Sequence, residues 1–153
     1  MKLLAWASAE RGIVTAIISN GEEFNQYEKI IRGAVREYFW TIHISGVKDN
    51  SMRKPYPKIF ERAIEECQVK PSKAVYIGDR LETDILGANK VGLFSIRIRR
   101  GRYKHEEKGD FDLEELNKKY PGVDIKSLDE LEPQFEIASL DQLRVYFEKE
   151  NPS

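Results

Sequence analysis

Three short polar clusters in this chain could together act on a phosphoryl group: Ser19-Asn20-Gly21, Lys54-Pro55, and Gly78-Asp79 with Asp84 five residues on. A hydroxyl and backbone N–H groups at a strand-to-helix turn can hold phosphate oxygens, because the start of a helix carries positive partial charge. Ser19 and the Asn20 amide, with Gly21 in the same turn, are the candidates. A lysine beside such a pocket adds a full positive charge against the charge that develops on a transferred phosphoryl group, and Lys54 is placed to supply it. Magnesium takes hard oxygen ligands, keeps several waters and needs only one or two protein carboxylates, so Asp79 can be a ligand with Asp84 second. Each residue also has a plainer role open to it. Ser19 could simply cap a helix, Lys54 could be a solvated loop lysine, Asp79 could be turn chemistry, and Asp84 could cap the helix it begins.

These clusters fall at or near the ends of predicted strands. Leu3 to Ala9 reads as a helix tail stopped at Gly12, and Ile13 to Ile18 as a short apolar, β-branched strand of the kind covered on both faces. From Glu22 the period changes, with Phe24, Tyr27, Ile31 and Ala34 on one helical face. Thr41 to Ser45 reads as a second strand, and Pro57 as the first turn of a helix carrying Ile59, Phe60, Ala63, Ile64 and Cys67. Ala74 to Ile77 is a third strand, Thr83 to Val91 a short helix ending near Gly92, and Phe94 to Ile98 a fourth strand. This alternation predicts an α/β fold, a parallel sheet flanked by helices, with ligands gathered beyond the carboxyl ends of its strands. Dinucleotide binding is excluded by the lack of a Gly-x-Gly-x-x-Gly after any strand. The spacing Gly87 to Gly92 fails as a P-loop because Leu93 stands where the lysine should be.

A length of 153 residues predicts one domain: a core over 1–110 and a helix/strand tail over 111–153 belonging to it. Charged residues are 33% of the chain, but 25 Lys+Arg against 26 Asp+Glu leave a net charge of −1, so no overall field draws nucleic acid or acidic membrane. The local cluster Arg97, Arg99, Arg100, Arg102 and Lys104 has no interleaved aromatic platform beyond Tyr103 and reads as a solvated strand end. One cysteine, Cys67, cannot close an internal disulfide, which fits a reducing compartment. The apolar start at Leu3 is too short for a signal peptide, and no run approaches the roughly 18 residues of a membrane span. A soluble, cytoplasmic protein is expected. His43 lies in a strand and His105 in a charged loop, and neither is given a role.

Residues 121–131 and 133–143 match position by position at an offset of twelve. Each copy reads as an extended pair, Val123 and Ile125 or Phe135 and Ile137, followed by a helix start capped by Ser127 or Ser139. The simplest interpretation is a duplicated edge strand and turn.

In order and spacing, the polar clusters resemble motifs two to four of the haloacid dehalogenase-like (HAD) hydrolase superfamily, over roughly residues 12 to 104. Ile17-Ile18-Ser19-Asn20-Gly21 is similar to its hydroxyl motif, Arg53 to Phe60 to its lysine motif, and Val75 to Ile85 to its acidic motif, with Gly87-Ala88 continuing the pattern. The resemblance implies a Rossmannoid three-layer sandwich and a magnesium-dependent phosphomonoester phosphatase acting on a small phosphorylated metabolite. In these terms Ser19 and Lys54 are catalytic, Ser19, Asn20, Gly21 and Lys54 bind phosphate, and Asp79 and Asp84 bind metal. The family's first motif, an Asp-x-Asp after a buried apolar strand, supplies the attacking carboxylate, and no such strand precedes Ser19 here. Asp110-Phe111-Asp112 follows a polar loop and reads instead as the start of a helix over Leu113 to Lys119. The resemblance therefore implies the C-terminal part of the core, truncated at the N-terminus and lacking the cap that carries much of the family's specificity. Such a piece is expected to be inactive or weakly active alone. The absent strand lies between those leading to Ser19 and to Asp79, so these two pair directly or another chain or swapped segment completes the sheet. The alternative is a non-catalytic phosphate-binding or partner-binding module.

Overall fold

Among the described residues, short apolar, largely β-branched runs form five strands, and the pairings between these strands are parallel. The computed structural model describes residues 2–46 and 50–150, and the chain divides into two units between Lys70 and Pro71.

In the first unit β1 (Ala16–Ser19) pairs with β2 (Thr41–Ile44), with Ser19 opposite Ile44. The Ser45 N–H donates to the Ser19 carbonyl at 3.0 Å and extends the ladder to the residue after β2. Before β1 lie α1 (Lys2–Ala5) and a wide helical turn, Trp6–Glu10, which buries Trp6 and Ala7. The strand is shorter than Ile13 to Ile18, and its side chains are exposed or half-buried rather than covered on both faces, as a two-stranded ribbon offers little cover. Helix α2 (Glu23–Arg32) forms where the period changed, but it buries Ile30, while Phe24 and Ile31 are 78% and 67% exposed. Tyr27 is exposed too, and Ala34 lies beyond the helix with φ +49°. Helix α3 (Pro57–Glu66) starts on proline, whose missing N–H costs nothing at a first turn, and buries Ile59, Phe60 and Ala63 as its pattern predicts.

His43 is buried in β2, with its Nε2 at 3.3 Å from Glu66 and 3.1 Å from the Thr41 hydroxyl. Burial, opposed by the Glu66 carboxylate, lowers its affinity for a proton below that of an ordinary histidine. The unfolded chain then binds the proton more readily, so stability is complete above the ordinary imidazole range and falls as pH drops through it.

In the second unit β3 (Val75–Gly78), β4 (Phe94–Ile98) and β5 (Phe135–Ile137) form one sheet in that order. A wide helical turn, Leu81–Ile85, runs into α4 (Leu86–Lys90), and this stretch buries every residue from Leu81 to Ala88. Helix α5 (Leu113–Lys119) begins where Asp112 Oδ1 accepts the Glu115 N–H at 2.9 Å, and α6 spans Asp141–Glu150. The α/β class with parallel strands and flanking helices is thus as the pattern predicts. Among the described residues no helix is long and apolar enough to cross a membrane.

The twelve-residue repeat is structurally real only in its turn. Glu130 Oε1 accepts the N–H groups of Lys126 and Ser127 at 2.6 and 3.4 Å, and Gln142 Oε1 accepts those of Ala138 and Ser139 at 2.6 and 3.1 Å. The extended pairs diverge, because Phe135 and Ile137 join β4 as β5, whereas Val123 and Ile125 are buried without forming a strand. Ser127 caps the short helix Leu128–Leu131.

Arg97 departs furthest from expectation. It is not solvated but 1% exposed, and its guanidinium donates to the carbonyls of Tyr103 and Glu106 at 2.9 and 2.6 Å. Parallel pairing sets β5 alongside β4, so Glu136 reaches both Arg97 and Arg99. A second buried charge, Glu82, is held by Lys119 at 2.6 Å, the Tyr120 hydroxyl at 2.9 Å and Arg80. Burial opposes its ionisation, but the donors from Lys119 and Tyr120 outweigh that and hold its carboxyl below the usual range.

Two outcomes follow from these charges. Glu82→Ala should cost about 2 kcal/mol in urea unfolding, since three donors lose a shared acceptor, whereas Glu114→Ala, whose pair with Lys118 is exposed, should stay within about 0.5 kcal/mol. Lowering pH from about 7 to about 5 should reduce the melting temperature of the wild type more than that of His43→Gln.

Candidate functional site

In the first unit, four of the residues singled out from the sequence come together at the carboxyl end of β1. The Asn20 side chain makes a two-point contact with the backbone of Lys54: its Oδ1 accepts the Lys54 N–H at 2.8 Å, and its Nδ2 donates to the Lys54 carbonyl at 3.0 Å. An amide presents a donor and an acceptor side by side, so it can pair with both backbone groups of one residue as a neighbouring strand would. Residues 20 and 54 are thereby fixed together, and the Lys54 ammonium lies 3.3 Å from the Ile18 carbonyl at the end of β1. The Lys54-Pro55 peptide is cis, and Pro55 is buried.

Ser19 does not cap α2. The N-cap is Glu22, with no side-chain cap bond, and the Ser19 hydroxyl lies 3.2 Å from Gln26 Oε1. Gly21 has φ +138°, and a Cβ there would sit 2.6 Å from the end of the Gln26 side chain. Its N–H donates to the Ser45 hydroxyl at 3.2 Å, and the Ser19 hydroxyl donates to Gln26 Oε1, so Ser19 would have to release Gln26 in order to donate to a phosphate oxygen. Ser45 and Gln26 were not legible as site residues: neither belongs to a polar cluster, and only the pairing of β1 with β2 and the first turns of α2 bring them in.

In the second unit Asp79 and Asp84 are likewise close. Asp84 is 3% exposed and sits within the turn Leu81–Ile85, so it is not a helix cap. Its Oδ2 accepts the N–H groups of Asp79 and Arg80 at 3.2 and 3.1 Å, and its Oδ1 accepts the Tyr76 hydroxyl at 2.9 Å. Enclosure of the phenol, and then the Asp84 charge beside it, push the Tyr76 hydroxyl well above its ordinary range, so it stays a neutral donor. Gly78 has to be glycine, because a Cβ there would lie 2.3 to 2.8 Å from the Asp84 side chain. The Arg80 guanidinium stacks 4.6 Å from the ring centre of Tyr103 and pairs with Glu82.

As a donor set for magnesium, Asp79 fits: it is a hard carboxylate on the turn that follows a strand, and such a site needs only one or two protein carboxylates. Asp84 has both oxygens engaged by N–H and O–H donors. Among the described residues no group of three or more His, Cys, Asp or Glu side chains is arranged to hold a metal. Asp110 Oδ2 and Asp112 Oδ1 accept from local backbone, the N–H groups of Glu107 at 2.7 Å and Glu115 at 2.9 Å, which accords with a helix start.

Residues 51–126 match the family model described as HAD-hydrolase-like. The chain is 39% identical over 113 residues to a glyceraldehyde 3-phosphate phosphatase of Methanopyrus kandleri, covering 73% of this chain and 48% of that protein. A HAD phosphatase from Thermococcus onnurineus superposes with a TM-score of 0.70 at 26% identity, over 96% of this chain and 55% of the other. YfnB from Bacillus subtilis, solved bound to magnesium, superposes with a TM-score of 0.64 at 22% identity over 95% and 52%, a likeness of fold. The chain spans about half the length of the curated relatives it matches.

The seat of Asp84 yields a sharp expectation. Gly78→Ala should cost about 2–3 kcal/mol in urea unfolding, since the clash falls on a buried side chain that cannot swing away. Gly109→Ala, with nothing within 4 Å of the added carbon, should stay within about 0.5 kcal/mol.

Proposed function

We propose that this chain, which belongs to the HAD-like hydrolase superfamily, supplies the phosphate-binding and magnesium-binding parts of a magnesium-dependent phosphomonoester phosphatase. The observation that carries this reading is the two-point contact of Asn20 with Lys54, because it joins residues 34 apart in sequence from two of the family's motifs. In this reading the Ser19 hydroxyl and the Asn20 backbone N–H hold phosphoryl oxygens, and Lys54 Nζ sets a positive charge against those oxygens as the bond to the leaving group lengthens. Gly21 lets the turn close over Gln26 and directs its own N–H to Ser45. Asp79 is the carboxylate offered to magnesium, and magnesium, when bound, would neutralise phosphoryl charge.

The attacking Asp-x-Asp lies outside these residues in this reading. Two facts support that: the curated relatives are about twice as long as the region matched, and the carboxylates of Asp110 and Asp112 are engaged in capping. The substrate class is a small phosphorylated metabolite. Glyceraldehyde 3-phosphate is the first to assay, from the name of the Methanopyrus kandleri relative.

Phosphate release from glyceraldehyde 3-phosphate and p-nitrophenyl phosphate with magnesium tests the proposal. The chain alone should match its Asp79→Asn variant. Supplied in cis or in trans with an Asp-x-Asp segment, such as the N-terminal part of the Methanopyrus kandleri protein, it should turn over, and Lys54→Ala should then lower kcat by about 10² or more. Turnover by residues 1–153 alone would place the nucleophile within them. Phosphate binding with no turnover in any combination would leave a non-catalytic phosphate-binding module.

A further inference from the structure

We infer that Tyr76 is a positioning residue for the Gly78-Asp79-Arg80 turn, acting through Asp84, and that Asp84 is the clamp of that turn rather than a metal ligand. The inference rests on the reading of Asp79 as the carboxylate offered to magnesium, and it concerns what aims that carboxylate.

The seat is built into the strand. Residues two apart on a strand share a face, so Tyr76 and Gly78 lie on the same side of β3. Tyr76 brings a hydroxyl to that face, and Gly78 brings no side chain, leaving the space that the Asp84 carboxylate fills. The wide turn Leu81–Ile85 returns Asp84 over this gap and buries it. The two oxygens then divide their work. Oδ1 takes the strand's donor, Tyr76, at 2.9 Å, and Oδ2 takes both N–H groups of the turn, at 3.2 and 3.1 Å.

A carboxylate turns readily about its last side-chain bond. The Tyr76 hydroxyl sets that rotation, and with Oδ1 fixed, Oδ2 faces the two N–H groups. Those groups belong to Asp79 and the residue after it, so the same bonds set the backbone from which the Asp79 carboxylate projects. A cation taken directly by Oδ2 would have to displace two backbone donors in a buried site, at the cost of leaving them without an acceptor. Outer groups that orient a ligand in this way influence metal affinity without touching the metal.

The test uses the whole chain labelled with ¹³C and ¹⁵N and magnesium chloride, read by NMR. In Tyr76→Phe, amide exchange at Asp79 and Arg80 should accelerate about tenfold or more relative to Ile77 on the adjoining strand, and magnesium affinity should fall about tenfold. Unchanged exchange and affinity in Tyr76→Phe would overturn the inference. A second measurement needs no variant: scalar coupling across the hydrogen bonds, from the Asp79 and Arg80 amide nitrogens to the Asp84 carboxylate carbon. That coupling should persist at saturating magnesium, and its loss would make Asp84 a ligand and overturn the clamp, even if Tyr76→Phe fails to fold. Asp79→Asn separates the two claims. If it binds magnesium as the wild type does, or if the wild type binds none, the reading of Asp79 fails, and the exchange and coupling signatures still decide the clamp.

Discussion

A carboxylate withdrawn from water must be given donors, and the acidic turn of the second unit is organised around that requirement at Asp84. One buried side chain satisfies the backbone N–H groups of Asp79 and Arg80, which lie just ahead of the helical turn, and it accepts a hydroxyl from the strand before them. The arrangement has a steric condition as well as an electrostatic one, since it exists only where β3 ends on a residue with no Cβ. Gly78, Asp79 and Asp84 are therefore one device: the glycine makes room, the second aspartate holds the loop, and the first is presented by it.

The first unit solves a similar problem with a neutral group. The Asn20 amide, pairing with both backbone groups of Lys54, ties a long connection to the end of β1. The backbone from which the lysine side chain extends is thereby fixed, and its ammonium is held 3.3 Å from the Ile18 carbonyl. The Ser45 hydroxyl plays a lesser part, taking the Gly21 N–H so that the turn after Ser19 is held from the β2 side.

Elsewhere the second unit is cross-linked by buried polar groups that composition alone presents as surface charge. Arg97 is held by two carbonyls and Glu136, Glu82 by Lys119 and Tyr120, and Ser95 by Asn89 and Gln134 at 2.8 and 2.7 Å. These contacts join the tail to β4 and to the turn after Asp79. Residues 111–153 are thus part of the scaffold of the acidic turn.

Much of this was legible from residue order. The strand-to-turn runs at Ile17-Ile18-Ser19 and Tyr76-Ile77-Gly78, the proline start of α3 and the Asp112 cap all follow from local propensity, which acts over a few residues. Whether a given polar atom is spent or available was not legible. Phe24, Tyr27 and Ile31 share a helical face that looks like core, yet the helix buries Ile30. Arg97 looks like a solvated strand end, yet it is sealed by carbonyls and by a glutamate 39 residues later. Periodicity identifies which residues share a face but not what that face meets. Residue types and their spacing therefore determined the parallel α/β class and the candidate chemistry, while only the tertiary structure decided which donors and acceptors pair, because hydrogen bonding in a buried site depends on distances of a few ångströms between segments far apart along the chain.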